Sequence, residues 1–147
     1  MQSKTLLART GCPEPIFKGW LRTGVILPAR PGQGPGTHAD YDEANAIALL
    51  IGVKMKQAGV IVGNYAQAFA LLQEWLRKSS SLEWPHYTVA MTPQGATIRP
   101  AKKALGLEDM ALVVPLAPVC EVLSESVEDP GFYQYSLLKL QTVRKTK

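Results

Sequence analysis

The sequence is short of the features that would assign it chemistry at sight. It has two cysteines and two histidines in 147 residues. Cys12 and Cys120 lie 108 positions apart, and neither belongs to a Cys-x-x-Cys pair or a Cys/His cluster. That spacing does not suggest zinc and fits two reduced thiols packed as small hydrophobes. His38 and His86 have no nucleophile or paired carboxylate at a recognisable spacing, and the closeness of Glu83 to His86 is chance-level evidence. Catalysis needs a convergent set of oriented groups, so no catalytic residue, no metal and no cofactor is expected. No apolar run approaches the ~18 residues of a membrane span. The longest, Ala111 to Cys120, is ten residues and holds Pro115 and Pro118. Met1-Gln2-Ser3-Lys4 is followed by only Leu6, Leu7 and Ala8, which is not a signal-peptide pattern. A cytoplasmic protein without a membrane partner is expected. No internal repeat is visible.

Acid is also missing where it matters. Residues 1–38 hold Lys4, Arg9, Lys18, Arg22 and Arg30 against Glu14 alone, a net +4. Residues 79–138 hold three bases and seven acids, a net −4, and the last nine residues add four bases. A basic N-terminal block beside an acidic segment reads either as a polyanion-binding module joined to something kept off the polyanion, or as scattered surface charge. Apolar residues make up 46% of the chain, enough for a buried core.

The periodicity predicts a helix capped by Ser3 and broken at Thr10-Gly11. A second helix follows, with Pro13 and Pro15 in its first turn and Ile16, Phe17, Trp20 and Leu21 as its apolar stripe, ended by Gly24. Two helices about a glycine turn give a helix-turn-helix outline. Val25-Ile26-Leu27-Pro28 reads as a short strand, and Pro31-Gly32-Gln33-Gly34-Pro35-Gly36 as a flexible loop. That loop is not a nucleotide phosphate loop, since it lacks the Gly-Lys-Ser/Thr ending. Asp40 or Asp42 caps the next helix, with Asp40 and Glu43 at capping-box spacing. This helix runs to about Ala58 and is apolar on all sides from Ala46 to Ile51, so cover on most faces is expected. A further helix spans roughly Tyr65 to Lys78, with Ala68, Phe69, Leu72, Trp75 and Leu76 inside. Residues 79–85 read as a linker. Beyond it the period becomes two: a strand at Tyr87–Met91, a turn at Thr92-Pro93-Gln94-Gly95, a strand at Ala96–Arg99, a helical turn at Ala101–Leu105, a strand at Ala111–Leu116 and a helix at Pro118–Ser126. Residues 127–147 read as a weakly structured basic tail.

Leu7-Ala8-Arg9-Thr10-Gly11-Cys12, Phe17-Lys18-x-Trp20 and Arg22-Thr23-Gly24-Val25-Ile26-x-Pro28 resemble, in order and spacing, the MerR-like winged helix-turn-helix family. Tyr41, Leu49, Met55 and Gly59 match the spacing of that family's next helix, and Val60 to Leu72 looks like the following one. The resemblance covers about half the chain. Gly19 stands where the family has an aromatic, Leu21 where glutamate is common, and Ala39 where the wing usually has arginine. No cysteine set of the metal-sensing members and no long coiled-coil helix is visible, so no small-molecule or metal effector is implied. The expected fold class is mainly α, a winged helix-turn-helix at 1–78 followed by a small α+β segment at 86–126.

The resemblance implies a sequence-specific regulator of transcription, bacterial or from a phage, bound to double-stranded DNA. Lys18 and Arg22, four apart on the second helix, would reach phosphates or guanine edges from the major groove, Arg22 through its bidentate fork. Arg30 and His38 flank the loop and Gln33 stands near its tip, as further DNA-binding candidates. Each of these also reads as ordinary solvated surface. Trp20, Tyr65, Phe69 and Trp75 fall at core spacing, and Trp84-Pro85-His86-Tyr87 reads as an interdomain staple. The small sheet needs a cover. A second copy of 86–126 is expected to supply it, giving a homodimer with Val113, Leu116, Val119 and Leu123 at the interface. Two other readings remain: an architectural DNA-binding accessory of recombination or phage DNA packaging, and a protein-interaction adaptor that uses the acidic segment and no DNA.

Overall fold

The computed structural model describes residues 1–34, 38–103 and 111–126. Among the described residues, five helices and one three-stranded antiparallel sheet make a mixed α/β architecture in which helices dominate. The helices are α1 (Ser3–Thr10), α2 (Glu14–Arg22), α3 (Glu43–Gln57), α4 (Ala66–Lys78) and α5 (Leu116–Glu125). The strands are β1 (Tyr87–Thr92), β2 (Gly95–Pro100) and β3 (Leu112–Pro115), with β1 in the centre. The expected tail at 127–147 and part of the expected turn at 101–105 lie outside the described residues.

Ser3 does not cap α1. It is the helix's first residue, and Gln2 occupies the cap position without a side-chain bond. Gly11 ends the helix at φ 70°, its N–H donating to the Leu7 carbonyl at 2.9 Å. That left-handed conformation suits glycine, and it ends α1 three residues before α2 begins. Pro13 caps α2, whose buried Phe17 and Trp20 face the core. Trp20 lies flat enough on α3 that a Cβ at Gly52 would sit 2.9 Å from its ring, so the two helices meet through a missing side chain.

The cap of α3 is Asp42, not Asp40. Its side chain accepts from the Asn45 N–H and its own N–H donates to Asn45 Oδ1, both at 3.1 Å, so the capping-box partner is Asn45 rather than Glu43. Ala46, Ile47, Ala48, Leu49 and Ile51 are all buried, as their unbroken apolar run implies. A 3₁₀ turn at Val62–Tyr65 leads into α4.

Val25–Pro28 forms no strand. The Val25 and Ile26 N–H groups both donate to the Trp20 carbonyl, at 2.9 and 3.2 Å, and the other bonds go to side chains. Gln73 Nε2 donates to the Val25 carbonyl at 2.8 Å, and the Leu27 N–H donates to Gln73 Oε1 at 3.2 Å. The Leu27 carbonyl accepts from Asn45 Nδ2 at 2.7 Å and from Arg77 Nη2 at 2.6 Å. Gln73, Asn45, Arg77 and the end of α2 together thus do for this segment what a neighbouring strand would have done.

Residues 79–85 are packed rather than open. Trp84 is buried in a 3₁₀ turn (Trp84–His86), and its Nε1 donates to Ser79 Oγ at 3.0 Å. β1 and β2 pair in register from Tyr87↔Pro100 to Thr92↔Gly95, closing on a two-residue turn, Pro93-Gln94. The inner face of the sheet, Tyr87, Val89, Met91, Ala96, Ile98, Leu112 and Val114, joins the same apolar cluster as the N-terminal helices. α4 and α5 lie against the sheet, and α5 also touches α3. The cover that the sequence assigned to a second copy therefore comes from this chain.

Candidate nucleic-acid interface

α2 sorts its side chains by face. Phe17 and Trp20 point in, while Lys18 and Arg22 are exposed on the outer flank. Lys18 is tied one turn back to Glu14 at 3.2 Å, both ends solvated. Such a pair holds weakly and gives way readily to a phosphate. Arg22 lies over the bare backbone of Gly19, where a Cβ would be 3.9 Å from its Nη2. Gly19 thus leaves room beside the guanidinium.

The loop after α2 is closed at its base. Arg30 and Asp40 exchange backbone hydrogen bonds, at 3.1 and 2.7 Å, as an isolated antiparallel bridge. Arg30, Gln33 and His38 are exposed. His38 joins Gln2, Ser3, Lys4, Ala39 and Tyr41 around an open cleft of about 310 Å³. Tyr41 links this cleft to α2, its ring edge-on to Phe17 at 5.4 Å. Burial pushes the Tyr41 phenol up, so it stays neutral and can donate a hydrogen bond. The uncapped start of α1 faces the same cleft, adding backbone N–H groups and the positive end of a helix dipole.

The fold thus brings His38 beside Lys4, a residue that sequence reasoning had not selected. Nothing in the spacing of residues 34 positions apart could have revealed that meeting. Lys18 and Arg22 share a helix flank with Arg22 at its end, next to the chain that enters the loop. Arg9, by contrast, is used internally. Its guanidinium grips both carboxylate oxygens of Glu43 and donates to Ser126 Oγ at 3.2 Å.

Of the expected interface residues, Leu116 and Leu123 are buried in this chain's own core. Val119 is partly buried against it, and Val113 is half exposed on the outer face of the sheet. Cys12 and Cys120 are free thiols, and burial pushes each up to about 11. Among the described residues no three His, Cys, Asp or Glu side chains are grouped to hold a metal, and no helix is long and apolar enough to cross a membrane. No protein-family model matches the chain, and a search of curated proteins finds no match.

Proposed function

We propose that the chain is a sequence-specific DNA-binding regulator of transcription, built on a MerR-like winged helix-turn-helix. The observation that carries this reading is the exposed cationic flank of α2, Lys18 and Arg22, standing behind a glycine-turned helix pair. The loop closed by the Arg30–Asp40 bridge adds Arg30 and His38, and the cleft at the start of α1 adds Lys4. In this mechanism α2 enters the major groove, Arg22 pairs a guanine edge, and Lys18 leaves Glu14 for a phosphate. Arg30, Gln33 and His38 hold the neighbouring backbone, and the start of α1 receives a phosphate at its N–H groups.

A single module of this size makes few base contacts, and two copies on a symmetric site would add theirs. Pairing through residues 86–126 has Val113 and Val119 as its remaining candidate contacts. Sedimentation of the full chain at micromolar concentration checks it, and a monomer there refutes the pairing.

The deciding experiment is selection of bound fragments from random duplexes, followed by affinity measurement across a salt series. Lys18→Ala and Arg22→Ala should each weaken binding by ~1–3 kcal/mol if the residue reads a base, or lower the salt slope by about one if it touches phosphate. Wild-type affinity and slope in both variants would remove α2 from the groove.

A further inference from the structure

The charge total of residues 79–138 hides a local excess of the other sign. Glu83 is the only acid between Ser79 and Lys103, while Arg99, Lys102 and Lys103 fall within five consecutive positions. The sheet gathers them at one rim. Arg99 is opposite Thr88 and Pro100 is opposite Tyr87. The Ala101 N–H donates to the His86 carbonyl at 2.8 Å, and the Lys103 N–H donates to the Pro100 carbonyl at 3.0 Å. The turn so made brings Lys102 and Lys103 to the end of the sheet where His86 lies. All three side chains are exposed. Neither lysine has an ion-pair partner among the described residues.

The direction of β1 along α4 decides which end of the molecule this is. Tyr87 packs edge-on to Trp75 at 4.9 Å, and Trp84 bonds Ser79, just past the end of α4. The hairpin turn lies further back, where a Cβ on Gly95 would be 3.2 Å from Leu71. The rim with the lysines is therefore at the C-terminal end of α4. The loop begins and ends there too. Leu27 bonds both Gln73 and Arg77, and Asp42 receives Arg77 Nε at 2.8 Å. Two separately built cationic features, the loop after α2 and the sheet rim, thus share one end of the fold.

We infer that the rim formed by His86, Lys102 and Lys103 is a second backbone-phosphate contact, engaging the same duplex as α2 and the loop. The inference rests on the DNA-binding reading above and extends it to a part of the chain that the overall charge would keep away from DNA. Lysines on a turn give charge without base recognition, so the rim adds affinity and orientation but no sequence preference. Two lysines are fewer than the roughly four to eight clustered bases that mark a lipid-surface segment.

The test uses the full chain, a labelled duplex several helical turns long, and binding isotherms over a KCl series. K102A/K103A should reduce the log–log salt slope by about 1.8, at about 0.9 for each phosphate released. Its preference among duplex sequences should be unchanged. K102R/K103R should keep the wild-type slope, and K102Q/K103Q supplies a second neutral pair with a polar stem if the alanine variant melts early. A wild-type slope in both neutral variants overturns the inference and leaves the DNA reading standing. No duplex binding by the wild-type chain at any salt overturns both. Loss of binding to phosphatidylserine vesicles in the neutral variants, with an unchanged DNA slope, assigns the rim to a lipid surface and overturns the inference.

Discussion

Gln73 sits fully buried on α4, yet each amide atom is used. Nε2 donates to Val25 and Phe69, and Oε1 accepts from Leu27 and Asn45. Gln73→Leu keeps most of the volume but orphans the buried Val25 carbonyl, at ~1–3 kcal/mol, and the part-buried Leu27 N–H, at somewhat less. Urea denaturation should show a loss of about 2–5 kcal/mol; a loss below 1 kcal/mol would mean that the segment finds other partners. Gly52 gives a prediction of unusual sign. In an open helix interior, glycine to alanine gains up to ~1 kcal/mol. Here the new methyl would meet the Trp20 ring at 2.9 Å, so Gly52→Ala should lose ~1–3 kcal/mol, and a rise in Tm would refute the close contact. The thiols set a pH limit. In the unfolded chain they ionise near 9, and in the fold only near 11. Their contribution to stability is therefore complete below pH 9 and falls as pH climbs towards 11, which urea midpoints across that range should follow. The free thiols were readable from their spacing, but the contacts of Gln73 and Gly52 were not. A glutamine at an inward helical position is indistinguishable from a solvated one until its partners, 46 and 48 positions away, are known.

At the scale of elements, apolar period located the helices well, because their hydrogen bonds are local, while the cap of α1 and the capping-box pair of α3 were misplaced. The hairpin was equally legible, since Pro93 and Gly95 stand where a tight turn takes them. The failures came where the partner was remote. Val25–Pro28 has a strand's composition but takes its bonds from the Trp20 carbonyl and from α3 and α4 side chains. The capping residue was ambiguous because Asp40 and Asp42 both precede an apolar run. What separates them is that Asp42 meets Asn45 and Arg77, while Asp40 meets Arg30 across the loop base. The candidate DNA residues on α2 could be read from spacing, whereas Lys4 and the rim lysines needed the fold. The loop offers an element-scale test. Deleting Gly32 to Gly36 leaves the Arg30–Asp40 bridge and the Gln73 contacts in place. Stability should therefore change little, while duplex affinity falls. A large drop in Tm with unchanged binding would make the loop structural and reject its role as a wing.

For the whole molecule, the question is whether the helical half and the sheet stand or fall together. The sequence suggested separable parts because its period changes near Trp84, and a change of period is all that local pattern can register. It carries no information on what the new elements lie against. The packing crosses that boundary repeatedly. Trp84 is buried beside α5, Leu116 and Leu123 of α5 enter the cluster that holds Leu49 and Phe69, and Arg9 of α1 reaches Ser126. Removing either half would strip apolar surface from the other, so neither has a complete core alone. Unfolding should therefore be a single cooperative step. The tryptophans test this directly. Trp20 reports on the α2–α3 contact, while Trp75 and Trp84 report on the sheet side. Variants retaining only Trp20, or only Trp84, with phenylalanine at the other positions, should give urea transitions that coincide with each other and with far-ultraviolet circular dichroism. Each substitution shifts the midpoint, so coincidence is judged within a variant, fluorescence against dichroism. A Trp20 signal that moves at one urea concentration while half the helical signal persists to a higher one would show two independently folding units and restore the boundary near residue 80.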